Sequence, residues 1–112
     1  MKSLYHDPSF AAFWNRRAGP TGEPYKQYVL DPLMFRLAGS LREKTILDLG
    51  CGNGYLVSSF LKQSPKRIIC LDGSEENLRY ARMQRADSRI EFLKQDATKN
   101  WAVQEKTLDL IY

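Results

Sequence analysis

The stretch TILDLGCGNGYL, residues 45–56, sets Gly50, Gly52 and Gly54 directly behind an aliphatic run, with Asp48 just ahead of the first glycine. Residues 46–49 read as a short buried strand. Leu56, Val57, Phe60 and Leu61 then recur at helical spacing. A glycine loop between a strand and a helix lets a ligand touch main chain where a Cβ would collide. An isolated G-x-G does no more than shape a tight turn, and the dinucleotide fingerprint places its third glycine where Tyr55 stands here. A second piece lies further along. Asp72 ends the aliphatic run RIICL (residues 67–71), 18 positions beyond Gly54, where a carboxylate can take the two hydroxyls of a ribose. The other role for such an aspartate is helix capping, and Ser74 is available for that. Loop and acid together predict an adenosine-type ligand.

Working outward, Ser74 opens a helix whose first turn carries Glu75 and Glu76, favourable against the N-terminal dipole. Leu78, Ala81, Met83 and Ala86 are its expected inner side. Residues 90–93 form a third strand and LDLIY, residues 108–112, a fourth. Strands alternating with helices predict a parallel sheet with right-handed crossovers. The expected fold is α/β, a Rossmann-like doubly wound parallel sheet truncated after its fourth strand. Upstream, Asp7-Pro8 is an N-cap followed by proline at the first helical position, and Phe10, Phe13 and Trp14 supply an apolar face. AGPTGEP, residues 18–24, breaks the pattern. Asp31-Pro32 repeats the cap-and-proline device, and Gly39 closes that segment. The division is residues 1–43 as a helical lid or cap and residues 44–112 as a partial binding domain.

Bulk properties narrow the class. A chain of 112 residues with 43% hydrophobic and 27% charged residues is one ordinary globular domain. No apolar run approaches a membrane span and the start lacks the core of a signal peptide, so a cytoplasmic location is expected. Cys51 and Cys70 are too far apart for a CxxC motif and read as reduced, buried residues. His6, the single histidine, has no ligand cluster around it, so no metal is expected and no general base can be named. The formal charge of +4 permits an anionic partner without demanding one. Arg79, Arg82, Arg85 and Arg89 have no interleaved stacking aromatics, which makes nucleic acid a minor option.

ILDLGCGNG, then CLDGSEENLRYAR, then FLKQDAT, in this order and spacing, resemble the class I S-adenosylmethionine-dependent methyltransferases. LDLIY is similar to the start of that family's fourth motif. The resemblance implies S-adenosyl-L-methionine as cofactor and S-adenosyl-L-homocysteine as product. It implies that Asp48, Gly50, Cys51, Gly52 and Gly54 form the loop bordering the methionine moiety. Asp72 would hold the ribose hydroxyls, and Gly73 would lie along the adenine. Asp96 and the Ala97 amide would meet the adenine edge. Tyr28 would be a lid over the methionine carboxylate, and Trp101 either walls the adenine or fills core.

In that family the sheet has seven strands, of which four are present here. The expectation is a truncated methyltransferase acting on a small-molecule acceptor, with little activity from these 112 residues alone, since aligning the acceptor is most of the catalysis. A non-catalytic cofactor-binding or interaction module is the alternative. The fourth strand becomes an edge, with Leu108, Leu110 and Ile111 lacking cover. Self-association through that edge is expected, unless the helix carrying Phe10, Phe13 and Trp14 folds over it.

Overall fold

The computed structural model describes residues 4–104 and 106–112. Four parallel strands form one sheet: β1 Thr45–Leu49, β2 Arg67–Asp72, β3 Ile90–Lys94 and β4 Leu110–Ile111, in the order β3-β2-β1-β4. β1 and β2 pair along the whole of β1, Thr45 opposite Arg67 and Leu49 opposite Leu71. The chain steps from β1 to β2 to β3 in one direction, then crosses back to place β4 on the other side of β1. That reversal creates a switch point at the carboxyl end of β1, where open parallel sheets receive ligands. The Rossmann-like doubly wound fold expected from the sequence is the fold observed.

The helices are α1 Pro8–Ala18, α2 Asp31–Ala38, α3 Val57–Leu61 and α4 Glu75–Gln84. β1 and β2 are buried on both sides, which explains their unbroken aliphatic composition. One face sends Ile46, Ile68 and Cys70 into a core with Val57 and Phe60 of α3 and Leu78 of α4. The other face, Leu47, Ile69 and Leu71, is covered by Trp101, Val103 and Leu108 from the connection between β3 and β4. Trp101 therefore fills core, and its Nε1 donates to the Ala97 carbonyl at 2.9 Å. No helix among the described residues is long and apolar enough to cross a membrane.

Two caps form as expected. The Asp7 carboxylate accepts from the Ser9 and Phe10 amides at 2.8 and 3.3 Å, and the Ser74 hydroxyl accepts from the Asn77 amide at 3.3 Å. Asp31 is different. A π-helical turn, Lys26–Leu30, runs straight into α2, so Asp31 has helical dihedrals and caps nothing. Its carboxylate is buried and accepts from the phenols of Tyr112 at 3.1 Å and Tyr55 at 3.4 Å.

Other helical faces also differ from the apolar spacing. α1 buries Ala11, Asn15 and Ala18 while Phe13 is 52% exposed, because small residues and one amide let α1 pack closely on α4. It lies there and not over β4. On α4 the inner positions are Asn77, Leu78 and Ala81. Met83 and Ala86 are exposed, since Met83 lies on the face of α4 opposite Leu78 and Ala81 and Ala86 lies beyond the helix end at Gln84. The fourth strand is shorter than expected and better covered. Leu108 and Leu110 are half-buried against the two cores, and Ile111 is the exposed one of the three. Tyr112 packs its ring on Phe35 and Phe60, at centroid distances of 5.7 and 5.4 Å.

Candidate functional site

The glycine loop leaves β1 in a conformation that side chains resist. Gly50, Gly52 and Gly54 have φ of +74°, +57° and +73°. The Gly50 and Cys51 amides both donate to the Leu71 carbonyl, at 2.8 and 3.1 Å, clamping the loop to β2. A Cβ at Gly50 or Gly52 would project into open space. Gly54 has another reason to be bare: a Cβ there would lie 3.1 Å from Ala81 Cβ, so this glycine lets α3 and α4 approach. Cys51 turns its side chain into the core. Hydrogen bonding with Cys70, then burial, pushes its thiol well above the usual range and keeps it neutral.

Asp72 holds the site together. Its Oδ2 accepts from the Gly52 amide at 2.8 Å, and its Oδ1 accepts from the Ser74 amide at 2.8 Å and from Asn77 Nδ2 at 3.3 Å. Asn77 Oδ1 in turn accepts from Asn15 Nδ2 at 3.0 Å. A buried chain of side-chain amides thus runs from α1 through α4 to the glycine loop. Asp48, one strand away, is only 3% exposed and its Oδ2 has no hydrogen-bond partner among the described residues. Burial raises its carboxyl to about 7, opposed by Lys26 and reinforced by Asp72 and Asp31.

A cleft of about 430 Å³ opens at the carboxyl ends of these strands, lined by Gly50, Gly52, Asp72, Gly73, Asp96 and Ala97. Six of the ten residues that the sequence singled out therefore share one cavity. Asp96 accepts from the Thr98 hydroxyl at 2.6 Å and the Thr98 amide at 2.9 Å, and those bonds hold its carboxyl below the usual range. Asp48, Cys51 and Gly54 stand behind the loop and shape it. Tyr28 stands apart, 73% exposed on the π-helical turn and not among the lining residues.

The sequence reading missed His6, Trp14, Lys26, Ser74, Asn77 and Thr98 as lining residues. His6, which nothing in the sequence tied to a site, sits close over Gly73: a Cβ on that glycine would come within 3.1 Å of His6 Nε2. Its only signal was its position just before the Asp7 cap. Asn77 carried no signal, since it reads as a polar helix residue until α1 is packed against it.

A family model described as a methyltransferase domain matches residues 46–112, more than half of the chain. The chain belongs to that family. The motif resemblance read from the glycine loop and Asp72 is borne out. A ubiquinone biosynthesis O-methyltransferase from Bordetella avium is 32% identical over 85 residues, covering 72% of this chain and 35% of its own length. Among solved structures, an S-adenosylmethionine dependent methyltransferase from Mesorhizobium loti superposes with a TM-score of 0.70 at 26% identity. That match covers 84% of this chain and 40% of the other. A SAM dependent methyltransferase from Aquifex aeolicus shares the fold, with a TM-score of 0.68 at 23% identity over 94% of this chain and 55% of its own. The chain spans about a third of the length of the curated relatives it matches.

Proposed function

We propose that the cleft binds S-adenosyl-L-methionine and that the chain serves methyl transfer to a small molecule. One observation carries the reading. The bare loop at Gly50 and Gly52, the Asp72 carboxylate and Asp96–Ala97 line a single cavity at the switch point of a methyltransferase-family sheet. The residues fit the cofactor. A carboxylate offers about four acceptor positions and Asp72 uses three, leaving one for a ribose hydroxyl. Asp96 and the Ala97 amide are exposed at the far end for an adenine edge. The unpaired, buried Asp48 oxygen behind the loop suits a ligand that carries a positive charge.

Bound there, the cofactor supplies a methyl group already activated on a sulfonium, so the chain's own residues have only to bind, orient and exclude water. Gly50, Cys51 and Gly52 hold the methionine end and Asp72 the ribose. The segment 1–43 acts as a lid: Trp14 and Lys26 line the cleft, and His6 closes the side next to Gly73.

A small-molecule acceptor is supported by the Bordetella avium relative, a ubiquinone biosynthesis O-methyltransferase. The arginines of α4 favour nucleic acid less than their number suggests. Arg79 pairs with Glu76 and Arg82 with Glu75, and Arg89, beyond the helix, pairs with Asp87. Self-association through β4 retains the exposed Ile111 as its support, and light scattering over a concentration series tests it. Calorimetry with S-adenosylhomocysteine tests the main reading. Wild type binds and Asp96→Ala binds more weakly; equal heats from both, or tighter binding of a nicotinamide dinucleotide, overturn it.

A further inference from the structure

The helical segment formed by the π turn and α2 carries its apolar side chains on the outside. Tyr25, Tyr28, Val29, Leu33, Met34 and Leu37 are six of the ten large hydrophobic residues exposed among the described residues. Tyr25, Val29, Leu33 and Leu37 recur at every fourth position. That spacing creeps around an α-helix, and the wider π turn takes back part of the drift, so the four share the outer face. The inner side is filled by Asp31, Phe35 and Ala38, against the core. An exposed apolar patch of this extent marks an interaction surface.

The charges around it say what kind. Arg36 lies one turn after Pro32, and Pro32 shares a cleft wall with Lys62 of the α3 end. Past α2, the segment holding Arg42 and Lys44 is tied to the segment holding Lys62 and Lys66. The Glu43 amide donates to the Ser64 carbonyl at 3.0 Å and the Lys66 amide to the Lys44 carbonyl at 2.9 Å. Arg36, Arg42, Lys44, Lys62 and Lys66 are all exposed, and none makes an ion pair among the described residues. Glu43 is the one carboxylate in residues 32–44 and 62–66. The cations thus flank one side and the far end of the apolar face. A second copy seated there would bring two sets of like charges together, which opposes that pairing. A nucleic acid would meet the charges but finds no stacking rings at the aliphatic centre of Leu33, Met34 and Leu37.

We propose that this face docks on the surface of an anionic lipid bilayer. The helix lies flat, with Leu33, Met34 and Leu37 in the boundary between headgroups and acyl chains and the five cations against lipid phosphates. Tyr25 and Tyr28 suit the headgroup level, where an apolar ring ending in a hydroxyl is at home. The docking does not depend on the methyltransferase reading.

Flotation of the whole chain with vesicles tests it. Equimolar phosphatidylcholine and phosphatidylglycerol vesicles are expected to carry the protein, and pure phosphatidylcholine vesicles to carry far less. Raising sodium chloride from about 0.1 to about 1 M is expected to weaken the association. Leu33→Gln with Leu37→Gln keeps helix propensity and is expected to lose about tenfold or more in vesicle affinity. Lys62→Gln with Lys66→Gln is expected to lose a similar factor. Arg79→Gln with Arg82→Gln removes the same charge from α4, where both arginines are paired, and is expected to stay within about twofold. The proposal is overturned by no flotation with the mixed vesicles, by equal flotation with the neutral ones, or by wild-type affinity in the folded leucine variant. An equal loss in the two charge variants would reduce the effect to net charge and also overturn it. So would a dimer in light scattering that the leucine variant dissolves while the wild type does not float, since the face then belongs to a second copy.

Discussion

Asp72 and Asp48 lie at or beside the carboxyl ends of neighbouring parallel strands, yet their surroundings are opposite. Asp72 collects three donors from two parts of the chain, joining the glycine loop to the start of α4 and, through the Asn77–Asn15 bond, to α1. Asp48 is more deeply buried but leaves one oxygen unpaired among the described residues, and its carboxyl rises to about 7. Burying a polar group is tolerable when its hydrogen bonds are made and costly when they are not. The contrast separates a carboxylate that builds the site from one that the fold keeps at a cost. In a small domain such a cost persists where a ligand recovers it.

The largest effect expected from breaking this contrast is that of Asp72→Ala. It strands the Gly52 and Ser74 amides and should cost about 3 kcal/mol, lowering Tm by more than about 10 °C and removing S-adenosylhomocysteine binding. A loss below about 1 kcal/mol in urea denaturation would show that the carboxylate is no brace. Asn77→Ala cuts the link between α1 and Asp72 and should cost about 2 kcal/mol. Hydrogen exchange should then show α1 losing protection before the sheet does. Unchanged protection in α1 would show that the amide chain does not hold that helix.

Asp48→Asn sharpens the comparison through pH. An acid whose folded pKa is raised binds its proton more tightly when folded, so its contribution is present below about 4 and is lost as pH rises towards about 7. Stability of the wild type should therefore fall across that window, and the asparagine variant should lack this component. At pH 8 the variant should be the more stable by at least about 1 kcal/mol, with weaker S-adenosylhomocysteine binding. A parallel pH profile in the two proteins would rule this out. The smallest effect is expected from Tyr28→Ala, which removes an exposed side chain outside the cleft. Stability should stay within about 0.5 kcal/mol and ligand affinity within about twofold. A selective loss of affinity would restore Tyr28 as a lid residue.

What could be read in the sequence was local. Asp48, the glycine loop and the α3 start are contiguous, so strand, turn and helix propensities place them without any knowledge of the rest. The same holds for Asp7 and Ser74, whose caps act within three residues. Asp72 was legible because a strand–helix–strand unit has a characteristic length, which puts the end of β2 beside the end of β1. Asp31 was misread as a cap for the same kind of reason. Asp-Pro is a start signal only when the preceding turn is not already helical, and here a π-helical turn enters α2 directly.

The sequence by itself thus determined a parallel α/β fold, the bare loop and the acid that faces it. Tertiary structure alone decided which polar groups are satisfied. The Asn15–Asn77 bond spans 62 positions and the Asp31–Tyr112 bond spans 81, so neither is implied by any local pattern. His6 over Gly73 belongs with them. Propensity acts over a few residues, whereas the pairing of a buried polar atom is settled by whichever distant element packs against it.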